Sequence, residues 1–242
     1  MLPGIRALLF DLDDTLLIND MDVFGPVYFR ALGEKFAKVC SPSLLVESVQ
    51  RGTRAMLRND GTHGTNAEAF AASFFQRVKL PPETLMPIFD DFYAHDFDTL
   101  QAITRPDPAA VQVMQRAFAL GYQVAIATQP LFPLAAIASR LRWAGVGPER
   151  FAYDAIATYD TFSACKPHPV FFSQMLDKLG RQPNECLMIG DSVQSDMPAS
   201  QYGIRTFLVD RGQRSASLEV NSDATGTLGD LLHLMDSGGI DE

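Results

Sequence analysis

Hydrophobic positions follow two different periods along this chain, and the changes of period divide it into three parts. Residues 6–10 are apolar at consecutive positions, as is typical of a parallel strand that is covered on both faces. Residues 18–102 show helical spacing only, with polar or proline-rich breaks at 41–42, 59–66 and 81–82. One series with this spacing is Phe24, Val27, Tyr28, Ala31, Leu32, Phe36 and Val39. This second part is predicted to be a bundle of about four helices.

Helical and strand-like stretches alternate in the third part, from Arg105 to about Val209. The predicted strands are residues 122–127, 155–157, 186–189 and 205–209. The predicted helices are residues 108–120, a segment ending near Trp143, a segment opened by Pro167 and closed by Gly180, and a short segment ending at Tyr202. Alternation of this kind implies crossover helices and a parallel sheet. The last thirty residues are polar, apart from one helix candidate at 228–234.

The helical part follows the first strand and precedes the others, so we expect it to interrupt an α/β domain. The predicted fold is a doubly wound parallel sheet of the Rossmann-like type with an inserted all-helical domain. We expect residues 1–17 and 103–242 to form the core and residues 18–102 to form the insertion. The length of 242 residues allows one large domain or two small ones, which is compatible with this division.

Composition narrows the classes of function. The chain has 20 Lys and Arg against 29 Asp and Glu, a formal charge of −9, so it lacks the concentrated positive field of a nucleic-acid binder. Its three cysteines stand far apart and form neither a disulfide framework nor a zinc pattern, which favours a reducing, cytoplasmic location. Residues 117–139 carry no charge, but Gly121, Pro130 and Pro133 break them into a strand and a helix, so we expect no membrane anchor.

Polar side chains stand at the predicted carboxyl ends of the strands, which share one edge of an open parallel sheet and bind ligands there. They are Asp11, Asp13 and Thr15 after the first strand, Thr128 after the second, Lys166 before a helix, and Asp191 and Asp196 after the strand at 186–189. Each alone has a structural interpretation, because acids and threonines often cap helices or shape turns, and Asp196 fits a helix N-cap. Together they predict a functional site.

Several carboxylates at one sheet edge would repel one another, so their presence indicates a cation. Oxygen ligands alone favour a hard ion such as Mg²⁺ over zinc. With Asp11, Asp191 and Asp196 ionised, Asp13 protonated and Lys166 charged, the site sums to −2, which Mg²⁺ brings to zero. A phosphate dianion could then enter without repulsion, so the composition of the site predicts a metal-dependent reaction.

The order of these residues resembles the haloacid dehalogenase superfamily. The motifs are Asp-x-Asp-x-Thr at 11–15, then Thr128, then Lys166, then Gly-Asp-x-x-x-x-Asp at 190–196. The resemblance covers residues 5 to about 210, and the helical part lies where that family carries an inserted cap.

The resemblance implies a role for each motif residue. Asp11 would be the nucleophile that forms an aspartyl-phosphate, and Asp13 would protonate the leaving alcohol and then activate water. The Asp11 side chain, the Asp13 backbone carbonyl and Asp191 would hold Mg²⁺, with help from Asp196. Thr128 and Lys166 would bind and neutralise the phosphoryl group. Crowding by neighbouring acids is expected to keep Asp13 protonated.

Asp13 also separates the subclasses of the family, because its dehalogenases lack this second acid. Asp13 therefore favours a phosphatase that acts on a small-molecule phosphate monoester. Another hydrolase or a phosphotransferase on the same core is an alternative, and so is a non-enzymatic receiver-like phosphoacceptor domain, although receivers are shorter and lack the cap. Gln129 stands where the family often has Asn, which leaves the contacts near the second strand open.

The cap is expected to close over the site and to supply selectivity, with hinges near residues 17–19 and 103–106. Arg51, Arg54 and Arg58 share one helix face, for which a solvated surface is favoured over an anion clamp. His63 stands between two nearby glycines and favours a turn residue over a substrate contact. The sequence leaves open which ester is cleaved and whether the protein is a monomer or a dimer.

Overall fold

The computed structural model describes residues 2–212 and 222–238. Its strands, in chain order, are β1 (Ala7–Phe10), β2 (Leu17–Ile18), β3 (Arg105–Pro106), β4 (Gln123–Ile126), β5 (Ala155–Ile156), β6 (Cys186–Gly190), β7 (Arg205–Val209) and β8 (Ala224–Gly226). Six of them form one sheet in the order β5-β4-β1-β6-β7-β8, in which every neighbouring pair is parallel. The predicted parallel sheet is confirmed.

The described residues form eight α-helices, of which the last four pack on the two faces of this sheet. They are α1 (Met21–Phe36), α2 (Pro42–Leu57), α3 (Asn66–Val78), α4 (Pro82–Asp91), α5 (Ala110–Ala119), α6 (Leu134–Trp143), α7 (Pro169–Leu179) and α8 (Leu228–Ser237). Leu8 and Phe10 of β1 face one hydrophobic cluster, and the alternate residues Ala7 and Leu9 face another. A strand buried on both faces explains the uninterrupted apolar run at the start of the chain.

The predicted helical part consists of α1 to α4, as the periodicity indicated. Two polar N-caps fix helix starts: Ser41 Oγ accepts from Leu44 N at 3.3 Å, and Thr65 with Glu68 forms a capping box. After α4 the chain continues as a π-helix (Phe92–Asp96) and a 3-10 helix (Phe97–Ile103), which the sequence did not distinguish from an α-helix.

Three other details differ from the prediction. The helix after Lys166 begins at Pro169 and not at Pro167, because the ring of His168 accepts from Val170 N at 3.3 Å and caps it. The short helix that ends at Tyr202 is a 3-10 helix. Strand β8, at the edge of the six-stranded sheet, was not predicted. β8 has only three residues, too few to show a period.

β2 and β3 lie close to the residues where the two hinges are predicted. They pair there as antiparallel strands, with Leu17 opposite Pro106. Beyond the hinge, the ring of Phe97 stacks on Trp143 of α6 at 5.3 Å between ring centroids, so Trp143 is a packing residue. The exact division at residues 18 and 102 stays a prediction. Within the described residues, no helix is both long and apolar enough to cross a bilayer.

Candidate active site

The carboxyl ends of β1, β4 and β6 meet at one small cavity. Its volume is about 230 Å³. All six residues predicted for catalysis or metal binding lie on its wall: Asp11, Asp13, Thr128, Lys166, Asp191 and Asp196. The topology explains this meeting, because β1 lies between β4 and β6 and all three strands run in the same direction.

Lys166 is a buried cation of the site. Its Nζ lies 2.8 Å from Asp11 Oδ1 and 2.5 Å from Asp196 Oδ1. Burial by itself would lower the pKa of Lys166, but the two carboxylates outweigh burial and raise the pKa above its ordinary value. The amine is therefore charged, and it links the first motif to the last.

Asp11 has one carboxylate oxygen on Lys166 and the other near the Thr15 hydroxyl, which donates to Oδ2 at 3.4 Å. Burial raises the pKa of Asp11 well above its ordinary range. Lys166 lowers this pKa, whereas Asp196 and Asp191 raise it further. A nearby positive charge would favour the ionised form that a nucleophile requires.

Asp11, Asp191 and Asp196 form a site that fits a divalent cation. Each offers a carboxylate oxygen, and the three oxygens lie within 4.8 Å of one another. Burial, followed by the charges of Asp196 and Asp14, raises the pKa of Asp191 to about 6. Acids crowded in this way with an all-oxygen donor set suit a hard ion such as Mg²⁺.

Asp196 does not act as the helix cap that a structural interpretation would give it. Its Oδ1 accepts from Lys166, and its Oδ2 accepts from Ser192 N at 3.0 Å. A Cβ at Gly190 would overlap this carboxylate, so glycine is needed at that position for Asp196 to approach the strand end. With both oxygens bound by the protein, Asp196 is suited to support a metal ion indirectly.

Asp13 is held by an arginine, contrary to the expectation that acids crowd it. Its Oδ2 pairs with Arg140 Nη1, and its Oδ1 accepts from Asn19 Nδ2 at 2.7 Å. Two buried polar atoms beside it, Arg140 Nη2 and Asn19 Oδ1, lack a hydrogen-bond partner within the part of the chain described. A buried group in this state costs about 1–3 kcal/mol.

Arg140 is the main residue that the sequence analysis missed. It stands on the apolar face of α6 with Ala136, Ile137 and Leu141, and it is only 1% exposed. A lone arginine on the buried face of a helix is a signal that could have identified it, because such a charge needs a partner inside the protein.

Two further groups shape the loops of the site. Gln129, which stands where the family that this chain resembles often has Asn, pairs with the backbone of Lys166. Arg211 Nε donates to the carbonyl of Asp14 at 2.6 Å and supports that residue in a left-handed conformation with φ of 55°. A second cavity of about 490 Å³ lies beyond Asp14 and Asp191, and its wall includes Arg105 and Arg211 but neither Asp11 nor Lys166.

The cap residues singled out in the sequence lie away from the site. Arg51, Arg54 and Arg58 are exposed, and none of them is on the wall of either cavity in the described part of the chain. His63 is exposed in a turn. Met21, at the start of α1, is the cap residue on the wall of the smaller cavity.

Comparisons with known proteins identify the family of the chain. A family described as haloacid dehalogenase-like hydrolase matches residues 5–202. The chain is 23% identical over 234 residues to a phosphoglycolate phosphatase of Aquifex aeolicus, covering 96% of this chain and 98% of that one. It is 22% identical over 210 residues to a glyceraldehyde 3-phosphate phosphatase of Methanopyrus kandleri, covering 86% and 85%.

A solved structure has the same fold. The crystal structure of a phosphatase of this superfamily from Thermococcus onnurineus matches with a TM-score of 0.59 and 20% identity, covering 97% of this chain and 99% of that one. The predicted enzyme class, a phosphoric monoester hydrolase, is confirmed by the family match together with the phosphatase relatives. The chain therefore belongs to the haloacid dehalogenase-like hydrolases, the family that its four motifs predicted.

Proposed function

We propose that this protein is a Mg²⁺-dependent phosphatase that hydrolyses a small phosphate monoester through an aspartyl-phosphate. The observation that carries the proposal is the contact of Asp11 with the charged Lys166, 2.8 Å apart, inside a small cavity whose wall also holds Asp191 and Asp196, the other two carboxylates of the possible metal site. A carboxylate fixed by a buried ammonium is oriented for attack, and the ammonium balances charge on the phosphoryl group.

The proposed reaction has two steps, the formation of the aspartyl-phosphate and its hydrolysis. Asp11 bonds to phosphorus as the ester P–O bond breaks, and the leaving alcohol takes a proton from Asp13. Water then attacks phosphorus, the acyl phosphate bond breaks, and Asp13 takes a proton from that water. Lys166 and Thr128 would bind phosphoryl oxygens, because both line the cavity next to Asp11.

Asp11 and Asp191 would hold the metal ion, together with the Asp13 carbonyl, while Asp196 would support it indirectly. When bound, Mg²⁺ would neutralise the acids and polarise the phosphoryl group. Asp13 is held by Arg140 on one oxygen and by Asn19 on the other, and these two contacts would orient its carboxyl group for the proton transfer.

The size of the cavity supports a small substrate. Its 230 Å³ lie below the range of roughly 300–1,000 Å³ of pockets for drug-sized ligands. The names of the two relatives given above refer to two- and three-carbon phosphate esters, and we propose a substrate of that size.

Cys40, Cys165 and Cys186 are unpaired, which supports our proposal of a reducing, cytoplasmic location.

A phosphate-release assay tests the function. The purified protein is incubated with a panel of two- to six-carbon phosphate esters, with Mg²⁺ or with EDTA, and Asp11→Asn serves as the control variant. We expect turnover that requires Mg²⁺ and is absent in Asp11→Asn. Full activity of Asp11→Asn would contradict the nucleophile, and activity in EDTA would contradict the metal requirement.

A further inference from the structure

Arg140 places a buried guanidinium in the wall of the small cavity. Its Nη1 pairs with Asp13, its Nε donates to the carbonyl of Ala136 at 3.4 Å, and its Cζ lies 4.6 Å from the centroid of the Phe132 ring. The remaining nitrogen, Nη2, has no hydrogen-bond partner among residues 2–212 and 222–238.

The position of this guanidinium relates it to the leaving group. Asp11 and Lys166 mark the end of the cavity where the phosphoryl group reacts, whereas Asp13 has to reach the ester oxygen. Arg140 pairs with Asp13, whereas among the described residues it forms no hydrogen bond or ion pair with Asp11 or Lys166. Since Nη2 belongs to the same guanidinium as Nη1, a group that accepts from Nη2 would lie near Asp13, the residue assigned to the leaving group.

We propose that Arg140 is a specificity-determining residue that binds a carboxylate carried by the leaving group. The proposal rests on the proposed function. Guanidinium matches carboxylate in shape and charge, and a buried N–H without a partner is satisfied by such an acceptor. Nη1 and Nη2 belong to one planar group, so a carboxylate bound by Nη2 would lie next to Asp13, which fits a short link between the carboxylate and the ester oxygen. Phosphorylated hydroxy acids of two or three carbons are then preferred over neutral esters of equal size.

A purely structural role for Arg140 would give a different result. If Arg140 only orients Asp13, its loss slows the hydrolysis of every ester by the same factor and leaves ligand binding indifferent to a carboxylate. If Arg140 binds the carboxylate, its loss removes the difference between acidic and neutral ligands.

Two phosphonates that cannot be hydrolysed separate these roles. In 3-phosphonopropionate a methylene replaces the ester oxygen of 2-phosphoglycolate, and in propylphosphonate a methyl group also replaces the carboxylate. Their affinities are measured by calorimetry in saturating Mg²⁺ for the wild-type protein, Arg140→Met, Arg140→Lys and the control Arg142→Met. Arg142 lies on the same helix with an exposed side chain.

We expect the wild-type protein and Arg142→Met to bind 3-phosphonopropionate at least about tenfold more tightly than propylphosphonate. Arg140→Met should bind the two within about threefold, and Arg140→Lys should fall between. Equal affinities in the wild-type protein, or a preference that persists in Arg140→Met, would overturn the proposal.

If Arg140→Met fails to fold, Arg140→Lys takes its place, and a preference undiminished in Arg140→Lys or equal affinities in the wild-type protein would overturn the proposal. The binding test is also independent of turnover. Phosphate release is measured separately with 2-phosphoglycolate and with 2-hydroxyethyl phosphate, which lacks the carboxylate. A protein that prefers the acidic phosphonate but hydrolyses neither ester would contradict the proposed function alone. Turnover of both esters at equal kcat/KM would contradict the role of Arg140 alone.

Discussion

Gln129 and Lys166 are joined by two hydrogen bonds between the side chain of one and the backbone of the other. Gln129 Nε2 donates to the Lys166 carbonyl at 3.0 Å, and Lys166 N donates to Gln129 Oε1 at 3.1 Å. The loop after β4 and the loop before α7 are thereby held in register. The pairing fixes the backbone from which the Lys166 ammonium reaches Asp11.

Gln129→Ala removes both bonds, so we expect kcat to fall about 10- to 100-fold, because small displacements of a group that contacts the reacting atoms are costly. KM should change less, since Gln129 need not contact the substrate for this effect. Steady-state kinetics on the best ester of the panel measures both constants. Gln129→Asn should be nearly as slow, because its shorter side chain cannot span the same two groups.

Gln101→Ala is a matched control, since this glutamine is exposed in the 3-10 helix of the insertion. It should keep wild-type kcat. An unchanged kcat in Gln129→Ala would show that the Lys166 loop holds its position without the pairing.

The sequence was sufficient for the parts of the site that follow from strand ends. Asp11, Thr128 and Asp191 follow strands that the sequence shows as apolar runs. Because the carboxyl ends of parallel strands share one edge of the sheet, topology alone brings these residues together. Arg140 and Asn19 could not be placed in the same way, because neither follows a strand of the sheet. Arg140 reaches Asp13 from helix α6, and Asn19 reaches it from the loop between β2 and α1. Their contacts depend on tertiary packing that no short period encodes.

Lys166→Met should destabilise the metal-free protein, because it leaves Asp11 and Asp196 buried without their cation. Removing one partner of a buried ion pair typically costs about 3–5 kcal/mol. Urea unfolding in EDTA measures the loss. Mg²⁺ should stabilise this variant more than the wild-type protein, since it supplies the missing positive charge.

The exposed Lys38 offers the control for this experiment. Lys38→Met should match the wild-type free energy of unfolding both in EDTA and in Mg²⁺. Equal stabilisation of Lys166→Met and the wild-type protein by Mg²⁺ would contradict the charge balance inferred for the site.

The stability of the metal-free protein should depend on the protonation of Asp191. Its pKa is raised to about 6, so the folded protein holds this proton more tightly than the unfolded chain does. Between about pH 4 and pH 6 stability therefore falls as the pH rises, by an amount of the order of 3 kcal/mol from this group. Urea unfolding in EDTA across this range should show a weaker fall in Asp191→Asn. An identical pH profile in the two proteins would remove Asp191 as the cause.

Asn66 joins the insertion to two loops of the core. Its Nδ2 donates to the carbonyls of Pro130 and Ala164 at 3.1 Å and 3.4 Å, and its backbone N donates to the Phe162 carbonyl at 2.8 Å. The side chain is fully buried, and its Oδ1 accepts from Asn59 at 3.0 Å. The same two loops carry Thr128 and Lys166, so α3 supports them from the side of the cap.

Asn66→Ala should leave two core carbonyls without a donor and the Asn59 amide without one of its acceptors. We expect the free energy of unfolding to fall by about 1–3 kcal/mol. Amide hydrogen exchange in residues 158–165 should quicken relative to β1, because the contact with α3 protects that loop. Asn184→Ala is the control, since Asn184 is exposed on the surface of the α/β part of the chain. This variant should change neither the free energy of unfolding nor the exchange rate of the loop. If hydrogen exchange in residues 158–165 stays at the wild-type rate in Asn66→Ala, the contacts of the Asn66 side chain do not protect that loop.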